Sequence, residues 1–197
     1  MLLIIVIFLK LISCAAWSLD ISSKEVFFNS REEFYTENMD FTGSFPELKT
    51  IDIDARRQKR VALKLVGDYP VLEKIQYEGT FGYLVGSLTG SFPALENVQY
   101  LCSACSINLD LTGIWEKSCR IVIKNCVEPI VLKLPKDIGV IITTKTAMKG
   151  KVKAIGLEKK RSHLRKKVFV NSLFLTSPVV LNIEVETVKG GNITLIG

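Results

Sequence analysis

The sequence predicts an all-β protein built as a β-solenoid, a stack of coils of roughly 23 residues each. A glycine followed by an aromatic residue recurs along the chain, and in three of its four copies a proline follows within three positions. The glycines are 24, 23 and 23 residues apart, at Gly43, Gly67, Gly90 and Gly113. A regular interval of this length is typical of proteins that stack one supersecondary unit on the next.

Each repeat contains two short segments in which apolar and polar residues alternate, the period expected of strands with one buried face. One segment ends at the glycine, as 61–66 does before Gly67, and the other follows the aromatic residue, as Ile75-Gln76-Tyr77 does. Such a unit cannot bury its own apolar side chains, so we expect equivalent residues of neighbouring coils to align about 4.8 Å apart. An ordinary sandwich that repeats a turn is the alternative.

The turn residues have separate expected roles. Glycine permits a positive φ, and proline fixes φ where no hydrogen-bond donor is needed. The aromatic residues that follow the glycines are then expected to stack along one corner: Phe45, Tyr69, Phe92 and Trp115.

The chain begins with an apolar stretch that Lys10 interrupts and Asp20 ends. We interpret residues 1–18 as a signal peptide cut before Leu19, since the segment is short for a membrane span and has small residues before the cut. An acylated N-terminus at Cys14 and an uncut membrane anchor are the alternatives. All three place the rest of the chain outside the cytosol, in the periplasm, at the cell surface or in the medium.

Three further segments follow from the repeat. Residues 19–43 are predicted to form an N-terminal cap and a divergent coil, with strands at 26–28 and 39–41 and one helical turn that begins at Ser30. Residues 44–135 contain the regular coils. Residues 136–197 are expected to continue the stack with other coil lengths, through strands at 139–144, 149–154, 179–187 and 192–196.

Four stretches, 108–113, 132–140, 177–185 and 190–195, read NLDLTG, LKLPKDIGV, SPVVLNIEV and GGNITL. They resemble the toast-rack family of bacterial β-solenoid domains, related to the C-terminal domain of LiaF-like cell-envelope stress proteins. The resemblance covers about residues 40 to 197 and implies a right-handed parallel β-helix outside the cytosolic membrane. It implies no catalytic residue. The chain departs from the family at Cys105 and at 126–129, where glycines are usual.

Four cysteines follow the predicted signal peptide: Cys102, Cys105, Cys119 and Cys126. An even number in an exported chain suggests disulfides. Cys102 and Cys126 have nearly equal positions in neighbouring coils, so they are the predicted pair. Their bridge would close a loop of about 25 residues and stabilise the fold by roughly 3 kcal/mol. Four reduced, buried thiols are the alternative.

No catalytic or cofactor site is predicted, and the expected function is that of a non-enzymatic structural or interaction module of the cell envelope. The cysteine spacing lacks the paired knuckles of a zinc site, and His163, the only histidine, lies within a cationic run. Asp52 and Asp54 share one strand face, which leaves a polysaccharide-acting enzyme as a remote alternative.

The basic segment is the one candidate functional surface, since ten basic residues and one acidic residue lie between Lys145 and Lys167. A solvated loop after a strand is the simpler interpretation. The functional one is a surface for an anionic envelope lipid or glycan, with an envelope protein as another partner class and nucleic acid excluded by export. Its predicted residues are Lys149, Lys151, Lys153, Lys159, Lys160, Arg161, Arg165, Lys166 and Lys167.

Overall fold

The computed structural model describes residues 17–21, 24–30, 36–56, 60–125, 127–147, 150–163 and 165–197, and these are all-β, without a helix. The strands are β1 (Trp17–Ile21), β2 (Glu25–Ser30), β3 (Thr36–Ser44), β4 (Thr50–Ala55), β5 (Arg60–Asp68), β6 (Lys74–Leu88), β7 (Ser91–Phe92), β8 (Asn97–Asp110), β9 (Ile114–Trp115), β10 (Cys119–Asn125), β11 (Ile130–Lys133), β12 (Gly139–Lys145), β13 (Val152–Ile155), β14 (Glu158–His163), β15 (Lys166–Val170), β16 (Val180–Thr187) and β17 (Ile193–Ile196).

Two ladders of parallel strands organise the fold. The first ladder contains β2, β4, the first half of β6, the first half of β8, β10, β16 and β12, in that order. The second contains β3, β5, the second halves of β6 and β8, then β11, β17 and β13. Because β6 and β8 run on through a corner of each repeat, they belong to both ladders.

The core lies on the inward side of both ladders. Equivalent apolar residues of successive repeats are hydrogen-bond neighbours, as Ile51, Ile75 and Val98 are, and all three side chains are fully buried. The next residue along each strand, such as Asp52 after Ile51 and Gln76 after Ile75, points outward and is partly exposed. The alternation predicted for the strands is confirmed, and the burial of each row depends on the repeats above and below it.

The aromatic residues stack along one corner as predicted. The ring centroids of Phe45 and Tyr69 are 5.4 Å apart, those of Tyr69 and Phe92 are 5.2 Å apart, and those of Phe92 and Trp115 are 5.3 Å apart. The first two pairs are nearly parallel, at 2° and 11°. The column continues through four repeats and fixes their relative position.

The corner glycines are required mainly by the close approach of backbones. A Cβ on Gly67 would lie 1.8 Å from the carbonyl oxygen of Gly43, and one on Gly90 would lie 2.5 Å from that of Gly67. A Cβ on Gly113 would lie 2.6 Å from the carbonyl oxygen of Gly90. Positive φ, the predicted reason, applies at Gly43 (137°) and Gly67 (149°) only, so the expectation was wrong for the other two.

The C-terminal part does not continue the stack in sequence order, contrary to expectation. β16 lies between β10 and β12, and β17 lies between β11 and β13, so the last segment of the chain occupies a level inside the stack. Buried apolar rows such as Ile121, Ile183 and Ile142 cross the three strands, and two ion pairs accompany them on the outer face. Glu184 contacts Arg120 of β10 at 3.1 Å, and Glu186 contacts Lys145 of β12 at 2.5 Å, whereas β10 beside β12 would place basic residues together.

The N-terminal strands include the two predicted for the divergent coil, since β2 pairs with β4 and β3 pairs with β5, both parallel. β1 pairs antiparallel with β2 and contains the predicted cleavage point before Leu19. The helical turn predicted at Ser30 falls on 31–35, and the lipid-modified alternative falls on Cys14, both outside the described residues. Over the described ranges, no helix is long and apolar enough to cross a membrane.

Candidate functional site

The part of the basic segment expected to be a loop folds as a β-hairpin. β14 and β15 pair antiparallel, with Lys159 opposite Phe169 and His163 opposite Lys166, and a bulge interrupts β14 at Lys160. β15 also pairs antiparallel with β12, so the hairpin extends the first ladder by two strands. Burial of Phe169 beside Ile142 anchors the hairpin to the core.

The register divides the cations of the hairpin between two faces. Arg161 is aligned through Val168 with Thr143, which faces outward, so Arg161 lies on the outward face of the first ladder. Lys166 is aligned with Lys145 and lies on the same face. Lys159 aligns with the buried Phe169, and Lys167 aligns with the buried Thr144. Since neighbouring side chains on a strand alternate in direction, Lys159 and Lys167 belong to the opposite face.

A groove of about 260 Å³ lies on the outward face, where β10, β16, β12 and β15 run side by side. Lys124, Lys145 and Lys166 line it, together with Glu184, Glu186 and the apolar Val122. Glu186 is paired with Lys145, and Glu184 with Arg120. Among the described residues no acidic side chain forms an ion pair with Lys124 or Lys166, and Glu186 is the cross-strand neighbour of Lys124.

The remaining predicted cations lie elsewhere. Lys153 is on β13 and Lys151 precedes it, so both belong to the second ladder, and Lys149 is outside the described residues. Arg165 is in the turn of the hairpin, and Lys160 forms an ion pair with Glu158 at 2.7 Å. The structure therefore brings Lys166 to the groove and Arg161 to the same outward face, but not the whole predicted set.

Sequence reasoning missed Lys124 of β10, and it counted Lys145 of β12 in the basic segment without assigning it to the site. Lys124 is a single lysine at the end of an apolar strand, and nothing in its immediate neighbours indicates a site. Lys124 and Lys145 occupy equivalent positions on β10 and β12, since both are aligned with Glu186 of β16. That equivalence could indicate a shared site only if the order of the three strands was known.

The cysteines described by the structure are reduced and buried: Cys102, Cys105 and Cys119. Cys126 lies outside the described residues, so the predicted bridge to Cys102 stays a prediction. Burial raises the pKa of Cys119 to about 12. Burial also raises the pKa of Tyr77 and of Tyr100 above the ordinary range, so these hydroxyls stay protonated.

The carboxylates singled out by the sequence have ordinary surroundings. Asp54 accepts a hydrogen bond from Nε of Arg56 at 2.8 Å and forms an ion pair with the same guanidinium. Partial burial raises the pKa of Asp52 above its usual value, an effect that Lys74 opposes. Over the described parts of the chain, no group of three or more His, Cys, Asp or Glu residues could hold a metal ion.

Fold and site thus define an all-β protein of stacked parallel strands with a cationic groove on one outer face. No protein-family model matches the chain, and no curated protein is significantly similar to it. The resemblance to the toast-rack family therefore has no support from these comparisons. A similar solved structure is that of a "putative cell adhesion protein" from Clostridium sporogenes, with a TM-score of 0.55 and 14% identity, over 92% of this chain and 100% of that one. At this identity the likeness concerns the fold.

Proposed function

We propose that the chain is a non-enzymatic interaction module of the cell envelope, exported and folded as a right-handed β-solenoid. Its groove and hairpin bind an anionic component of the envelope, through phosphate or carboxylate groups carried by a glycan or by lipid headgroups. The observation that carries the proposal is the convergence of Lys124, Lys145, Lys166 and Arg161 on one outer face.

The distribution of charge supports this function. Four cations face outward around the groove, and one of them, Lys145, is neutralised by Glu186. Each unpaired cation near an anionic surface contributes about 1 kcal/mol, so Lys124, Arg161 and Lys166 together contribute about 3 kcal/mol. Val122 and Thr143 give the groove a partly apolar floor, which suits the carbon skeleton of a sugar or a lipid glycerol.

The architecture supports an interaction role. In the β-solenoid interpretation, each repeat contributes one outward residue per row, so the outer face is a flat, extended surface. The solved neighbour named for cell adhesion has a comparable fold, and extracellular adhesion is a function of the same kind. Export rests on the apolar stretch at the start of the chain.

Neutralising the groove is expected to weaken anion binding about a hundredfold at low salt. The variant combines Lys124→Gln, Arg161→Gln and Lys166→Gln, which removes about 3 kcal/mol at roughly 1.4 kcal/mol per tenfold. Binding is measured by co-sedimentation with phosphatidylcholine vesicles, with or without phosphatidylglycerol, and with polyuronate-coated beads, each at low and high salt. Beads that bind while vesicles do not identify a glycan, and the reverse result identifies a lipid headgroup.

The matched control carries the same loss of charge away from the groove, as Lys49→Gln, Lys136→Gln and Lys189→Gln, all exposed positions. It should bind nearly as well as the unmodified chain. Equal binding by the groove variant and the control, at every salt concentration, would contradict the proposal.

A further inference from the structure

Two cysteines meet at the corner of β8. Cys102 and Cys105 are three residues apart, and residues at that spacing in a straight strand point to opposite faces. Here both point inward: Cys102 is 7% exposed and Cys105 is fully buried. The chain bends between them because β8 leaves the first ladder and enters the second at this point. The bend brings two thiols of one strand together.

The two thiols perturb each other. Interaction with the Cys105 side chain, followed by burial, raises the pKa of Cys102, and interaction with the Cys102 side chain lowers the pKa of Cys105. Since both side chains are also buried on the inner side of the same bend of β8, the two thiols are neighbours in the core.

The backbone around the pair is held by a buried asparagine. Nδ2 of Asn125 donates to the carbonyl oxygen of Cys105 at 2.5 Å and to that of Glu128 at 3.1 Å. Oδ1 of Asn125 accepts a hydrogen bond from the Cys105 N–H at 3.4 Å. Because these bonds use the main chain of Cys105, they fix the corner and leave its sulfur free to react.

We propose that Cys102 and Cys105 form an intrachain disulfide when the chain folds in an oxidising compartment. The bond joins the two sulfurs, and the protein loses two protons and two electrons. A disulfide oxidant accepts them, and its own S–S bond is reduced to two thiols. The bridge lies inside the corner, which is the part of each repeat that connects the two ladders. It is independent of the anion-binding groove.

Peptide mapping distinguishes this bridge from the Cys102–Cys126 pair. Trypsin, which cleaves after Lys and Arg, leaves Cys102 and Cys105 in one peptide, 75–117, while Cys119 lies in 118–120 and Cys126 in 125–133. The full chain is refolded with reduced and oxidised glutathione, its remaining thiols are alkylated, and it is digested without reduction.

The expected product is an uncrosslinked 75–117 peptide that carries no alkyl group and is two hydrogen atoms lighter than its dithiol form. Cys126→Ser should leave that product unchanged. Cys105→Ser, which keeps the size of the side chain, should make Cys102 available to alkylation. A 75–117 peptide alkylated at both cysteines, or linked to 125–133, would overturn the proposal.

Discussion

Gly67→Ala is expected to destabilise the protein by about 4 kcal/mol or more, enough to leave little folded chain. The new Cβ would lie 1.8 Å from the carbonyl oxygen of Gly43. The oxygen belongs to the main chain and the Cβ is bonded directly to it, so neither atom can rotate away. The repeats below and above would have to separate at the corner, with loss of the aromatic contacts beside it. Chemical denaturation followed by circular dichroism gives the free energy of unfolding.

Gly43→Ala is the matched control. Gly43 also has a positive φ, 137°, but its added Cβ would meet only a ring atom of Phe45, at 3.9 Å. The substitution therefore has a conformational cost of about 1–3 kcal/mol, because only glycine adopts this φ easily, but it has no backbone clash. If both substitutions cost the same small amount, backbone proximity is not what selects glycine at the corner.

Phe92→Ala is expected to cost about 3–5 kcal/mol, the range for large aromatic residues removed from a packed core. Phe92 is fully buried, and its ring lies between those of Tyr69 and Trp115, at 5.2 Å and 5.3 Å. The substitution leaves a cavity in the middle of the column and removes two ring contacts at once. The free energy of unfolding from urea titration measures the effect.

Phe27→Ala provides the comparison for the same chemical change outside the core. Phe27 faces outward on β2 and is 46% exposed, so its truncation should change stability by about 0.5 kcal/mol or less, as at other surface sites. A cost at Phe27 as large as that at Phe92 would mean that the corner column does not carry the stability assigned to it.

The regular part of the fold could be predicted because its information is local. Alternation identifies strands such as β4 and β5, and the spacing of Gly43, Gly67, Gly90 and Gly113 gives the register between neighbouring repeats. The corner column follows from the same spacing, since residues one repeat apart must be neighbours in a stack.

The C-terminal order could not be predicted in this way. The sequence after Pro135 has no equal intervals, so nothing in it indicates that β16 lies between β10 and β12. That placement depends on pairs distant in sequence, such as Arg120 with Glu184. The groove was missed for the same reason, because Glu186 comes to lie between Lys124 and Lys145 only when β16 separates their strands.

The order of β10, β16 and β12 is the central claim, since it creates the groove, and engineered disulfides test it directly. Val122, Glu184 and Thr143 are aligned across the three strands. Neighbouring strands are about 4.8 Å apart, within reach of a disulfide, whereas strands two positions apart are beyond it. With Val122→Cys, oxidation and peptide mapping should show a bridge to Glu184→Cys and none to Thr143→Cys. A bridge to Thr143→Cys, with none to Glu184→Cys, would mean that the segments stack in sequence order and would contradict the structure.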